Sequence, residues 1–242
     1  MRIGTWNTEY ARGADKNAAR LRCIREAACD IWVLTETSDD LDLGPGYAHV
    51  STEPRPGRRA GEQWTTIWSR YPIVERVPLA DACRTVAALV DSPLGPLLVY
   101  GTVLPWHSDR GPERDAAARV PNWSEFYRVA PLQAAEWAAL DDARPDAHLC
   151  VAGDFNMSLG GKQDYGTKQG RELLRAGLRA ARLACVTEWD RLPSGSLARS
   201  PIDHIALSMP LAERTRVVAT WEGTDSSGLR MSDHSALVVE VA

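Results

Sequence analysis

Short apolar runs that follow one another with few helices between them constrain this chain most. Arg2–Trp6, Ile31–Thr35, Thr65–Trp68, Val86–Val90, Leu97–Val103, His148–Ala152, Ile202–Leu207, Arg216–Trp221 and Ala236–Val241 each read as a buried strand. Lys16–Ala28 reads as a helix, with Ala19, Cys23 and Ala27 on one side beside Leu21 and Ile24. Ser124–Asp142 reads as a second helix, carrying Phe126, Ala130, Ala134, Trp137 and Leu140 and interrupted by Pro131. Gln169–Ala180 reads as a third. Strands outnumber helices, so the pattern predicts two mainly β layers with helices outside, not a simple doubly wound sheet. No internal repeat is visible. Residues 1–242 are expected to form one domain.

Composition sets limits on partners. The 242 residues are 44% hydrophobic and 25% charged, an ordinary globular balance that needs no staples. The formal charge of −4, from 28 basic and 32 acidic side chains, argues against a strongly cationic nucleic-acid binder but allows a local basic rim. The five cysteines, Cys23, Cys29, Cys83, Cys150 and Cys185, show no CxxC pair or Cys/His cluster and read as buried thiols in a reducing compartment. The first residues carry no signal-peptide pattern and no run reaches membrane-span length, so a soluble, cytoplasmic protein is expected. No protein partner is evident.

Polar groups stand at the ends of the apolar runs. Val151-Ala152-Gly153-Asp154-Phe155-Asn156 ends a strand in glycine, carboxylate, aromatic and amide, and the alternation of an extended chain puts Asp154 and Asn156 on one side. Read alone, the pair is an Asx turn. Trp6-Asn7 ends the first run and Leu34-Thr35-Glu36-Thr37 the second. Ile202-Asp203-His204-Ile205 lies in a late strand, and Ser232-Asp233-His234-Ser235 precedes the last one. Burying so many ionisable groups is costly unless they converge on one another or on a metal.

The ordered set Trp6-Asn7, Glu36, Ser69-Arg70, Gly153-Asp154-Phe155-Asn156, Ile202-Asp203-His204-Ile205 and Ser232-Asp233-His234 resembles the endonuclease/exonuclease/phosphatase family. That group includes exonuclease III-like abasic endonucleases, pancreatic-type deoxyribonucleases, inositol polyphosphate phosphatases and neutral sphingomyelinases. The resemblance runs from residue 6 to residue 234. Each motif is short, and the order and spacing make the signal. It implies a four-layer α-β-β-α sandwich of two packed mixed sheets, and a divalent ion, Mg2+ or Mn2+, at one end. It implies Glu36 as main metal ligand with Asn7 and Asp233 beside it. It implies Asp154 as the group that orients or deprotonates the attacking water, and Asn156 as holder of that water or of a phosphate oxygen. His234 would donate to a non-bridging oxygen, oriented by Asp203. Arg70 is expected to support the site or touch substrate, and His204 to pack locally. Trp64, Trp106 and Trp123 are candidates to line the cleft.

One position departs from the pattern. Many members carry histidine or tyrosine where Gly101-Thr102-Val103-Leu104 has Val103, and valine can neither donate to phosphate nor assist a leaving group. Either His107 takes that place, or the leaving group is assisted by water at the metal alone, the reading we favour because a loop residue after Pro105 is poorly constrained. The function expected is metal-dependent phosphoester hydrolysis, with a nuclease acting on DNA or RNA first. Arg55, Arg58, Arg59, Arg110, Arg114 and Arg119, in the two long loops Ser51–Gln63 and Pro105–Asn122, support a phosphate-tracking groove. A sugar- or lipid-phosphate phosphatase is the nearest rival. A binding module that kept the fold without activity is the second.

Overall fold

In a computed structural model, residues 1–54, 59–111, 120–161 and 165–242 are described. Two six-stranded sheets lie face to face. The strands of the first sheet are β1 (Arg2–Asn7), β2 (Ile31–Ser38), β3 (Ala48–Ser51), β4 (Glu62–Ser69), β11 (Thr215–Trp221) and β12 (Ala236–Val241), in the order β11-β12-β1-β2-β4-β3. The second holds β5 (Ile73–Val77), β6 (Thr85–Ser92), β7 (Gly95–Val103), β8 (His148–Asp154), β9 (Leu183–Cys185) and β10 (Asp203–Ser208), ordered β5-β6-β7-β8-β10-β9. Each sheet has one parallel pair at its centre, β1 with β2 and β7 with β8, and antiparallel pairs elsewhere. A parallel pair needs a crossover, and helices supply it: α1 (Ala14–Ala27) joins β1 to β2, and α2 (Ser124–Ala143) lies between β7 and β8. α3 (Lys168–Ala180) follows β8, and the short α4 (Met209–Ala212) follows β10.

Three apolar layers hold these four layers together. Ile3, Ile31, Val33 and Ile67 of the first sheet meet Val86, Val99, Cys150, Ala152 and Ile205 of the second. Trp6, Trp32 and Leu34 turn the other way onto Ala19 and Ile24 of α1, while Tyr100, Leu149 and Val151 face Phe126 and Trp137 of α2 and Leu174 of α3. Strands buried on both faces read as continuous apolar runs, which is why these were visible in the sequence. The short strands β3, β5 and β9 were not, since they form sheet edges. The break expected at Pro131 does not occur: α2 runs through it, with its apolar face packed on the second sheet. Where α2 meets α3, a Cβ at Gly177 would stand 2.5 Å from that of Ala134, so glycine lets the helices touch.

Candidate active site

The site forms where the C-terminal ends of β1, β2, β7 and β8 meet the start of β10 and the loop before β12. Register makes the first contact. Asp154, last in β8, pairs with Asp203, first in β10, and with Val103, last in β7. Gly153 takes φ +131, and a Cβ there would lie 2.1 Å from the Thr102 carbonyl oxygen, so only glycine allows β7 this close behind Asp154.

Asp154 is buried and held from two sides. The Asn7 amide donates to its Oδ2 at 3.1 Å, and the Asn156 main-chain N–H donates to its Oδ1 at 2.9 Å. Asn156 gives its own side-chain N–H to the Leu104 carbonyl at 2.8 Å. Asn7 Oδ1 accepts from the Glu9 N–H at 2.9 Å. His234 Nδ1 stands 2.5 Å from Asp203 Oδ2. Its loop is fastened by Ser232, which donates to the Asn7 carbonyl at 2.6 Å and accepts the His234 N–H at 3.0 Å, and by the buried Arg20, which donates to the Met231 carbonyl. Burial alone lowers the imidazolium of His234; the charges of Asp203, Asp154 and Asp233 outweigh it and raise it to about 10, so the ring is cationic at neutral pH. Burial pushes the Asp154 carboxyl up to about 8, with Asp203 and Glu36 adding to the rise and His234 opposing it.

Ligating atoms of Asp154, Asp203 and His234 all lie within 4.8 Å of one another. Asp203 Oδ1 is buried with no hydrogen-bond partner among the described residues. Glu36, at the end of β2 with φ 48, acts on Asp154 through its charge. Clustered carboxylate oxygens, one of them with no partner among the described residues, fit a hard divalent cation.

Asp203, Asp233, His234, Tyr165 and Arg199 line a cleft of about 150 Å³. Asp233 sits half exposed at its edge, 3.9 Å from His234 Nε2 and 3.8 Å from Arg230, which also binds Glu9 at 2.9 Å. His107 is exposed near this rim, its ring 6.3 Å from that of Trp123 and 6.5 Å from that of Tyr165. Its loop is pinned by the buried pair Arg84–Asp109 at 2.8 Å. Trp106 and Trp123 are half-buried here and Trp64 is buried.

Not every expected residue reaches the site. Arg70 follows Ser69, which pairs with Ile31 at the start of β2, so the antiparallel run of β4 carries it to the opposite end of the sheet. At about 3.3 Å per residue it lies roughly 17 Å from Glu36, with its guanidinium over the Tyr47 ring. The fold does not bring Arg70 together with Asp154, Asp203 and His234. His204 is sealed in the core: Nε2 stands 3.0 Å from the Met157 carbonyl and Nδ1 3.3 Å from the Thr187 hydroxyl. Arg59 and Arg110 are exposed, while Arg55, Arg58, Arg114 and Arg119 lie outside the described residues. Tyr165, Arg199, Arg230 and Glu9 are additions that no motif flagged, because they sit in polar loops.

A model of the endonuclease/exonuclease/phosphatase family matches residues 4–234. The chain belongs to that family. Its members include hydrolases of phosphoesters, and the four-layer sandwich found here is the family's fold. A comparison with curated sequences found no match. Among solved structures of the family's fold, an AP endonuclease from Archaeoglobus fulgidus is 18% identical with a TM-score of 0.67, covering 100% of this chain and 99% of that one. The 3' phosphatase NExo from Neisseria, bound to a product DNA hairpin, is 17% identical with a TM-score of 0.68 and the same coverage. A mannosyl-6-phosphatase from Bacteroides thetaiotaomicron is 16% identical with a TM-score of 0.65, again covering 100% and 99%.

Proposed function

We propose that this family member is a divalent-metal-dependent phosphodiesterase that cleaves nucleic acid by in-line attack of water on phosphorus. The observation that carries the reading is the convergence of Asp154, Asp203 and His234, the last two of which line a cleft. Glu36, Asn7 and Asp233 would hold magnesium or manganese, which supplies charge neutralisation at the phosphate when bound. Asp154, steered by Asn7 and Asn156, orients the water and takes its proton. The side-chain oxygen of Asn156 remains to hold that water. His234, kept cationic by Asp203, donates to a non-bridging oxygen as negative charge builds. Exposed Arg59 and Arg110, with Arg199 at the cleft, support a polyanionic substrate.

A second reading, a sugar- or lipid-phosphate phosphatase, draws on the net charge of −4 and on the likeness to the mannosyl-6-phosphatase. We read residues 1–242 as one domain, because the two sheets share a single apolar layer. No described helix is long and apolar enough to cross a membrane. The five cysteines form no disulfide, which supports a reducing, cytoplasmic setting.

The test pairs plasmid nicking with phosphate release from monoesters across a salt series. Nicking that requires Mg2+ or Mn2+, stops with EDTA and falls steeply with salt is expected. Asp154→Ala and His234→Ala are each expected to lose about 10²–10³ in kcat. Full activity in either variant would sink the assignment, and phosphate release without nicking would select the second reading.

A further inference from the structure

We propose that Tyr165 is a catalytic residue of the hydrolysis described above, on which this inference rests: its hydroxyl protonates the departing ester oxygen. An alkoxide leaves phosphorus poorly unless it takes up a proton as the bond breaks. The groups around the cleft divide that work unevenly. Asp154 is set to receive a proton from water, and His234 is committed through Nδ1 to Asp203. Val103 is aliphatic and wholly buried, and His204 is sealed among Met157, Thr187 and Cys185.

Tyr165 lines the same cleft as Asp203 and His234. Its oxygen accepts the main-chain N–H of His107 at 3.5 Å, and its own proton is committed to no acceptor among the described residues. The ring is held in place. It packs edge-on against Trp123 at 5.3 Å, and its main chain exchanges hydrogen bonds with Ser158 at 3.1 and 3.0 Å. Burial raises the phenol above its ordinary value; the His107 N–H opposes this, and the nearby charge of Asp154 adds to it, which places the hydroxyl within electrostatic reach of the proton acceptor for water. His107 thus serves through its main chain, supporting the phenol oxygen as it becomes negative.

The step balances. The water oxygen forms a bond to phosphorus and passes its proton to Asp154. The bond from phosphorus to the ester oxygen breaks, leaving the electron pair on that oxygen. The Tyr165 proton moves onto it and an alcohol departs. Asp154 then releases its proton to solvent and the phenolate takes one up, so one water is consumed overall.

The experiment compares Tyr165→Phe with wild type on two diesters of one nucleoside phosphate, one with an alkyl and one with a 4-nitrophenyl leaving group, in the presence of magnesium. Nitrophenolate leaves without a proton, so the variant is expected to lose about 10²-fold or more in kcat on the alkyl ester alone, with KM unchanged. The ratio of the two rates is read on one preparation, which cancels any difference in folded fraction. Equal loss on both esters, or no loss on either, overturns the role of Tyr165 while leaving the hydrolase reading intact. A wild-type protein that cleaves neither ester overturns both.

Discussion

Glu9, Tyr10, Ala11, Glu36, Trp123 and Asn156 take left-handed φ values between 47 and 69: the first three form the turn that follows Asn7, Glu36 and Asn156 belong to the site, and Trp123 packs on Tyr165 at its rim; Ala28 and Arg182, the remaining described non-glycine residues of this kind, end helices α1 and α3. Each costs roughly 1–2 kcal/mol for an L-residue, so the strain is concentrated where side chains must be aimed. The meeting of Asn7, Asp154, Asp203 and His234 was legible because each ends or begins an apolar run, where a buried polar group needs a reason. The same logic misplaced Arg70, since a strand end in the sequence does not say which end of the sheet it reaches. His204 allows a pH prediction. Burial lowers its imidazole from 6.5 to about 4, so the fold favours the neutral ring. Its contribution is complete above the unfolded value of about 6.5 and is lost as pH falls toward 4, on the order of 3 kcal/mol. Urea unfolding of wild type and His204→Gln at pH 7 and pH 4.5 checks this: the variant is expected to lose less stability across the interval, and equal losses would exclude the assignment.

Gly153 shows what an element must do to place a side chain. Because β7 and β8 run parallel with Thr102 beside Gly153, Asp154 can close the strand only if its neighbour lacks a Cβ. Gly153→Ala combines a positive φ with a 2.1 Å clash against main chain, and is expected to cost more than about 2 kcal/mol. A melting temperature within a degree of wild type would contradict that account. The central strands were legible for a related reason: buried on both faces, they cannot avoid being apolar. The edges β3, β5 and β9 escaped notice because edge strands mix exposed and buried positions; β5 carries Glu75 and Arg76 among its valines. Pro131 misled because the loss of one hydrogen bond is outweighed by the packing of Phe126, Ala130 and Trp137 on the second sheet.

At the scale of the molecule, the sandwich gathers Asp154, Asp203 and Asp233 at one end, with Glu36 acting on Asp154 through its charge. A divalent ion is therefore expected to stabilise the whole fold, by about 2.7 kcal/mol at a hundred times its dissociation constant, which raises Tm by roughly 5–11 °C for a chain of this size. Melting curves in EDTA and in magnesium test this, and Glu36→Ala is expected to remove the shift. An unchanged Tm in wild type would remove the support for a metal here. The layered architecture was legible from the count of apolar runs against helices, but its regularity was not. Going around the chain from β11 through β12 to β4, and then from β5 to β10, the two sheets repeat one order and one set of strand directions. The Met1 amino group donates to the Val241 carbonyl at 2.9 Å, so the circle is nearly closed in space. A chain joined there and reopened near Pro72 would carry each sheet as one unbroken half, and the site would then be the seam between two equivalent wholes: Asn7 on one side where Val103 stands on the other, Thr35 on one side where Asp154 stands on the other.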